Sequence, residues 1–277
     1  MAGEDNCATI TIEEGWPILQ DGINKLIDIV EGVNDFSFTS EEYMNLYTTV
    51  YNICQPNPTG PECRRLYEKH NAIYEDYISS RVLPSLMGKK DESLLQEVVK
   101  RWKNHKIMIR WTCRFFHYLD RYFVPCKHVP TLQEATNSIF RKLVLEEQSI
   151  NGVVNELRDS LMSMIDRERN DEEIDRVLVK SVIDMFMEMG EEKYEKDFEK
   201  DMLKNTHKFY SFKASKWIDS IESYKDYMIK VEECLKREEE RVDFYLEKRT
   251  EKKLLEAVEY ELMSVHAIKL EKKKHAS

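Results

Sequence analysis

Tyr43-Met44-Asn45-Leu46-Tyr47-Thr48-Thr49-Val50-Tyr51-Asn52-Ile53-Cys54 is the stretch on which the fold turns. Wound as a helix at about 100° per residue, it puts apolar side chains on roughly half its circumference. Asn45, Thr48, Thr49 and Asn52 fill the other half. One core-facing stripe needs little more than about 100° of that arc. The surplus leaves the row Tyr43, Tyr47 and Tyr51 for a second contact. Tyrosine suits that duty, because it offers a large apolar area and keeps a hydroxyl for water or a partner. Two neighbouring helices covering both rows would produce the same pattern, and the residues alone leave both readings open.

Working outward, Thr39-Ser40-Glu41-Glu42 reads as a cap with acidic residues in the first turn, opening a helix over about 41–54. Before it, Trp16, Leu19, Ile23, Leu26, Ile27 and Val30 recur at three and four from Ile12, and Gly32 and Asn34 close that helix. Residues 1–11 read as a flexible lead. After it, Pro56-Asn57-Pro58-Thr59-Gly60-Pro61 is a breaker cluster between helices. A long helix follows to near Pro84, then a charged turn over Gly88–Asp91. Further helices are expected over about 131–146, 147–166, 173–189, 193–220, 222–246 and 250–272. Asp166–Asp171 reads as a charged hinge and Met189-Gly190 as a helix end. No segment shows strand-like alternation, so the fold class is all-α. Only 8 glycines and 7 prolines among 277 residues, with 34% charged, fit long helices.

The segment Ile107–Val124 reads as one mostly buried helix. Arg110, Arg114, His117 and Arg121 fall at i, i+4, i+7 and i+11, a narrow basic edge on an otherwise aromatic and aliphatic cylinder. That edge meets either solvent, as arginines at the rim of a bundle, or an acidic partner.

The rest of the chain excludes more than it assigns. A formal net charge of −10 gives no general attraction to phosphate backbones, so nucleic acid is not expected as a partner. No run approaches the roughly 18 apolar residues of a membrane span. The acidic Met1–Asp5 lacks the order of a secretory leader, and no lipidation box stands at either end. Six dispersed cysteines suit reduced thiols in the cytoplasm or nucleus. No histidine has metal-ligand spacing, and no Cys-x2-Cys, phosphate loop or nucleophile elbow occurs, so neither cofactor nor metal is expected. Glutamate runs such as Glu238-Glu239-Glu240 read as solvated helix faces.

The same residues carry a resemblance. Tyr43-Met44-x-Leu46-Tyr47-Thr48-x-Val50-Tyr51-Asn52 resembles the second helix of cullins of the SCF class, and Tyr118-Leu119-Asp120-Arg121-Tyr122-Phe123 the fifth. Gly15-Trp16, Leu83-Pro84, Arg101-Trp102-x-Asn104-His105-Lys106, Ile165-Asp166-Arg167-Glu168-Arg169, Tyr194-x3-Phe198-Glu199, Phe209-Tyr210, Tyr227-Met228-x3-Glu232-x-Cys234-Leu235 and Arg241-Val242-x2-Tyr245-Leu246 follow in order over about residues 12–265.

The resemblance implies a curved stack of cullin repeats, each a bundle of about five helices. It places one repeat at 12–148 and a second at 149–277. It implies a non-catalytic scaffold whose first repeat binds a Skp-type adaptor, which carries an F-box protein. Residue by residue, the adaptor surface falls on Tyr43, Met44, Leu46, Tyr47, Val50 and Tyr51, with Arg114 and Tyr118. The family's third repeat and its C-terminal domain, which recruits a RING-box protein and accepts a ubiquitin-like modifier, have no counterpart in these residues. A RING-box partner is therefore not expected. A fragment of a complete scaffold, a copy competing for adaptors and, more distantly, an unrelated helical enzyme are the alternatives.

Overall fold

Threonines set the register of three helices. Thr11, Thr39 and Thr131 each accept the backbone N–H of the glutamate three residues on (Glu14, Glu42, Glu134), and each glutamate carboxylate takes the threonine N–H in return. This capping box satisfies donors that a helix start would otherwise leave unpaired. The structure, a computed structural model, describes residues 9–33, 37–146 and 153–276, the side chain of Ala276 excepted. All regular structure among the described residues is helical. The expected lead at 1–11 lies outside the described residues up to position 8, and the expected repeat border at 148/149 lies outside them too.

The chain divides into two units, Met1–Met87 with Lys100–Val154, and Gly88–Val99 with Asn155–Ser277. The first holds α1 (Ile12–Val30), α2 (Ser40–Cys54), α3 (Pro61–Tyr77), α4 (Leu83–Leu86), the later part of α5 (Asp91–Phe115), α6 (Val124–Lys127) and α7 (Leu132–Phe140). α1 and α2 lie close because α1 carries glycine where α2 crosses. A Cβ on Gly22 would stand 2.5 Å from Leu46 Cδ2, and one on Gly15 would stand 2.6 Å from Ile53 Cδ1. The far end of α1 is tied down by side chains from α3 and α5. Tyr77 and Arg101 each bond Glu31 Oε1 at 2.5 Å, and Asn104 Nδ2 donates to the Val30 carbonyl at 2.7 Å. Burial pushes the Glu31 carboxyl up, but the Tyr77 and Arg101 bonds outweigh it and hold the group below its usual range.

Two prolines reshape this unit. The ring of a helical proline crowds the carbonyl four residues back and supplies no N–H. Directly before Pro84 and Pro125 the helix widens into π-turns, Ile78–Val82 and Leu119–Phe123, whose following N–H groups reach back five residues. The expected single helix over Ile107–Val124 is broken: α5 ends at Phe115, and the chain resumes through the π-turn into α6.

The second unit holds α8 (Val153–Arg169), α9 (Arg176–Glu188), α10 (Glu191–Tyr194), α11 (Lys200–Ser220), α12 (Tyr224–Phe244), α13 (Glu251–Glu259) and α14 (Ala267–Ala276). Two sequence expectations are corrected here. Residues 166–169 are the last turn of α8 and not a hinge, because Glu168 and Arg169 are buried among partners. Glu238 is fully buried and not solvated, although Glu239 and Glu240 are exposed. Arg169 Nε donates to Glu238 Oε1 at 2.9 Å and its Nη2 to Thr206 at 2.7 Å. Tyr210 and Arg241 bond the same Glu238 oxygen at 2.7 and 3.0 Å. Arg241 and Tyr245 also bond Glu168 Oε2, at 3.0 and 2.7 Å. Burial alone would raise the Glu238 carboxyl, but Arg169 and Arg241 hold it below the usual range. Three of the motifs quoted from the second half of the sequence, those of Glu168-Arg169, Tyr210 and Arg241/Tyr245, thus meet on Glu238 in one buried network.

Candidate docking face

α2 has neighbours on two sides, and this decides what remains open. Toward α1 it buries Leu46, Thr49 and Ile53, and Val50 is buried as well. On the other side its tyrosines lean on the end of α5 and the π-turn beyond. Tyr43 meets Phe115 with ring centroids 6.3 Å apart, and Tyr51 meets Tyr118 edge-on at 5.4 Å. Both contacts fall in the range of favourable aromatic pairs. The covering-helix reading therefore holds for part of the Tyr43 and Tyr51 rings, and the remainder faces outward. Tyr43, Tyr47 and Tyr51 are half-buried and Met44 is 52% exposed.

The eight residues singled out in the sequence divide accordingly. Tyr43, Met44, Tyr47, Tyr51 and Arg114 reach the surface, and the structure brings them onto one side of the first unit. Val50, placed on the adaptor surface by the resemblance, has no exposed surface, and Leu46 has only 4%. They are core residues that fix the pitch of α2 beneath the row. Tyr118 is 7% exposed; burial pushes its hydroxyl pKa up, and it works as the seam between α2 and the π-turn.

Sequence reasoning missed the residues that frame this face. Phe38 packs on Trp111 at 5.0 Å and on Phe115 at 5.1 Å, with Lys25 over its ring at 5.2 Å. Lys25 also bonds Glu42 at 2.5 Å. A groove of about 310 Å³ opens there, lined by Ile18, Asp21, Lys25, Phe38, Glu42 and Asn45 among others. The signal was present: Phe38 precedes the capping threonine and Tyr43 is the fourth helical residue, the two positions of a hydrophobic staple. Here both meet at Phe115. At the other end Tyr122 is 39% exposed and lies against Tyr118 at 4.6 Å. Arg110, Arg114, His117 and Arg121 all remain exposed across the helix break, so the basic edge persists. Arg114 and Arg121 rest over Trp111 and Tyr122, at 5.5 and 5.4 Å.

The face therefore has half-open aromatic rings, one exposed methionine and a basic border. Such a surface holds a protein by burying ring edges and pairing its border with acidic groups. Among the described residues no group of three or more His, Cys, Asp or Glu stands together to hold a metal ion, and no helix is long and apolar enough to cross a membrane.

Residues 16–276 match the family model of the cullin alpha solenoid domain. The chain belongs to the cullin family. It is 49% identical over 271 residues to Cullin-1 of Oryza sativa subsp. japonica, which covers 97% of this chain and 36% of that protein. To Putative cullin-like protein 1 of Arabidopsis thaliana it is 42% identical, over 96% of this chain and 37% of that protein. Cullin-like protein 3 of Arabidopsis thaliana is 41% identical and matched over 94% of its own length. The chain thus spans little more than a third of the first two cullin relatives.

Proposed function

We propose that this cullin-family chain is a non-catalytic scaffold that docks a Skp-type adaptor, and through it an F-box protein, in ubiquitin-dependent degradation. The face of Tyr43, Met44, Tyr47 and Tyr51, bordered by Arg114, is the contact. The observation that carries the reading is the half-burial of those tyrosines: Tyr43 and Tyr51 rest on neighbouring rings, and all three keep part of their surface open. A ring already held in one orientation loses little entropy on binding, and such preset aromatic anchors dominate interface energies. Leu46 and Val50 act from beneath, and Tyr118 keeps the two elements in register. The proposal extends to adaptor docking and not to recruitment of a RING-box protein, since what the chain matches is the alpha solenoid domain. The dispersed cysteines suit action in the cytoplasm or nucleus.

The test is a pull-down and titration of the purified chain with a Skp-type adaptor. Wild type is expected to bind. Tyr43→Ala with Tyr47→Ala is expected to lose on the order of 2–4 kcal/mol, roughly 30- to 1,000-fold in Kd. A wild-type chain that does not bind ends the adaptor reading. Binding unchanged by the double substitution moves the contact elsewhere. Retention of an added RING-box protein by this chain contradicts the limit set here.

A further inference from the structure

Cys54 closes α2 and Cys63 sits in the first turn of α3, so the intervening turn brings two thiols into one site. Both have 0% exposure. Cys63 Sγ donates to the Asn57 carbonyl at 3.4 Å and to that of Cys54 at 3.9 Å, and each cysteine stands close enough to shift the other's ionisation. The docking face uses neither, and no described metal-binding cluster includes them.

The two sulphurs are not equivalent. Cys63 lies at a helix start, and the neighbouring Cys54 lowers its pKa; Cys63 in turn, with burial, pushes the Cys54 thiol up. Thiolates are favoured at helix N-termini, and the thiolate is the nucleophile. Cys63 is therefore the attacking sulphur and Cys54 the resolving one. The pair is buried but not deep. Gln55, Pro56 and Asn57 of the covering turn are exposed, and a groove of about 310 Å³ lined by Ile53, Asn57, Gly60, Pro61 and Glu62 among others runs along it.

We propose that Cys54 and Cys63 form a reversible intramolecular disulfide, with hydrogen peroxide as oxidant. Peroxide is little larger than water, so it reaches the pair through a small opening of the turn. The Cys63 thiolate attacks one peroxide oxygen: an S–O bond forms, the O–O bond breaks, and the departing hydroxide takes up the proton Cys63 released. Cys54 then loses its proton and attacks the Cys63 sulphur. The S–S bond forms as the S–O bond breaks, and the second hydroxide leaves as water with the Cys54 proton. Two thiols and one peroxide give one disulfide and two waters, with two electrons passing from sulphur to oxygen. A neighbouring thiol that condenses with the sulfenic acid keeps the first sulphur from irreversible oxidation.

The test uses the full reduced chain and does not depend on the docking reading. After brief hydrogen peroxide treatment, free thiols are blocked and the protein is digested without reductant. The expected product is a cross-linked peptide pair joining Cys54 to Cys63, lighter by two hydrogens and restored by dithiothreitol, with helical circular dichroism retained. Cys54→Ser is expected to leave a Cys63 sulfenic acid that dimedone captures, and Cys63→Ser to leave Cys54 a thiol. The exposed Cys126 is the internal comparison. The proposal is overturned if Cys126 oxidises while Cys54 and Cys63 both stay free thiols, or if either links to another cysteine instead. Should a variant not fold, the wild-type peptide map decides alone.

Discussion

In the first unit two fully buried side chains, His70 and His105, are uncharged imidazoles wedged among rings. His105 stacks on Trp102 at 5.4 Å and meets Phe140 at 4.7 Å, while His70 meets Phe116 at 5.1 Å. In the second unit Glu168, Arg169, Glu238 and Arg241 are buried as ions, each compensated by another. Burying charge is expensive unless geometry and hydrogen bonds repay it, and a network that loses one member leaves the others stranded. A neutral imidazole costs less to bury but keeps its place only while it stays neutral. The units should therefore fail differently: the second when one ion is deleted, the first when protons are added.

The sharpest break is Glu238→Ala. It removes the buried carboxylate that Arg169 and Arg241 share and should cost on the order of 3–5 kcal/mol, read as lower denaturant resistance and faster hydrogen exchange in the second unit. The exposed neighbour change Glu239→Ala should stay within about 0.5 kcal/mol. Equal effects from the two would mean the network contributes nothing particular.

Acid separates the units next. Burial lowers the pKa of His70 from 6.5 to about 4 and that of His105 to about 3. The unfolded chain takes up these protons first, so stability falls as pH drops below 6.5 and goes on falling toward those values. The slope approaches about 1.4 kcal/mol per pH unit for each histidine. Glu238 is held below 4.5, so its contribution is present above that pH and lost only beneath it. At pH 5 hydrogen exchange should already have risen in the first unit and not in the second. A first unit indifferent to pH between 6.5 and 5 would mean its histidines are not held neutral.

The finest comparison pairs two hydroxyl deletions. Tyr210→Phe removes a bond to the Glu238 carboxylate, and Tyr74→Phe removes one to the Thr112 hydroxyl, both 2.7 Å long. Bonds to charged groups are worth about twice neutral ones, so losses of about 2 and about 1 kcal/mol are expected in urea titrations. The reverse order would make the ionic network the looser of the two.

Periodicity carried most of the helical layout, because apolar spacing and the Thr-x-x-Glu signature are local properties that tertiary packing here reinforces. What escaped was not local. Nothing in the run Glu238-Glu239-Glu240 marks the first residue for burial; that depends on Arg169, 69 residues away. The helix break at Phe116 lies among residues that themselves read as helical, and only the π-turn Leu119–Phe123 beyond it stands within reach of Pro125. On the docking side, the tyrosine row was visible and its half-burial was not, since spacing alone does not say how many neighbours α2 has. Val50 lies one turn from Tyr47 on paper but is wholly in the core.

The anchoring of α1 has a consequence for how this chain leaves the ribosome. Asn104 holds the Val30 carbonyl across 74 residues and Arg101 holds Glu31 across 70. At about 5–20 residues per second, the end of α1 waits roughly 4–15 seconds after its own synthesis for those partners to be made. During that interval the face of α1 that will receive Leu46 and Ile53 has its neighbour α2 but not its clamp. The early nascent chain is thus the stage at which a chaperone would find most to hold.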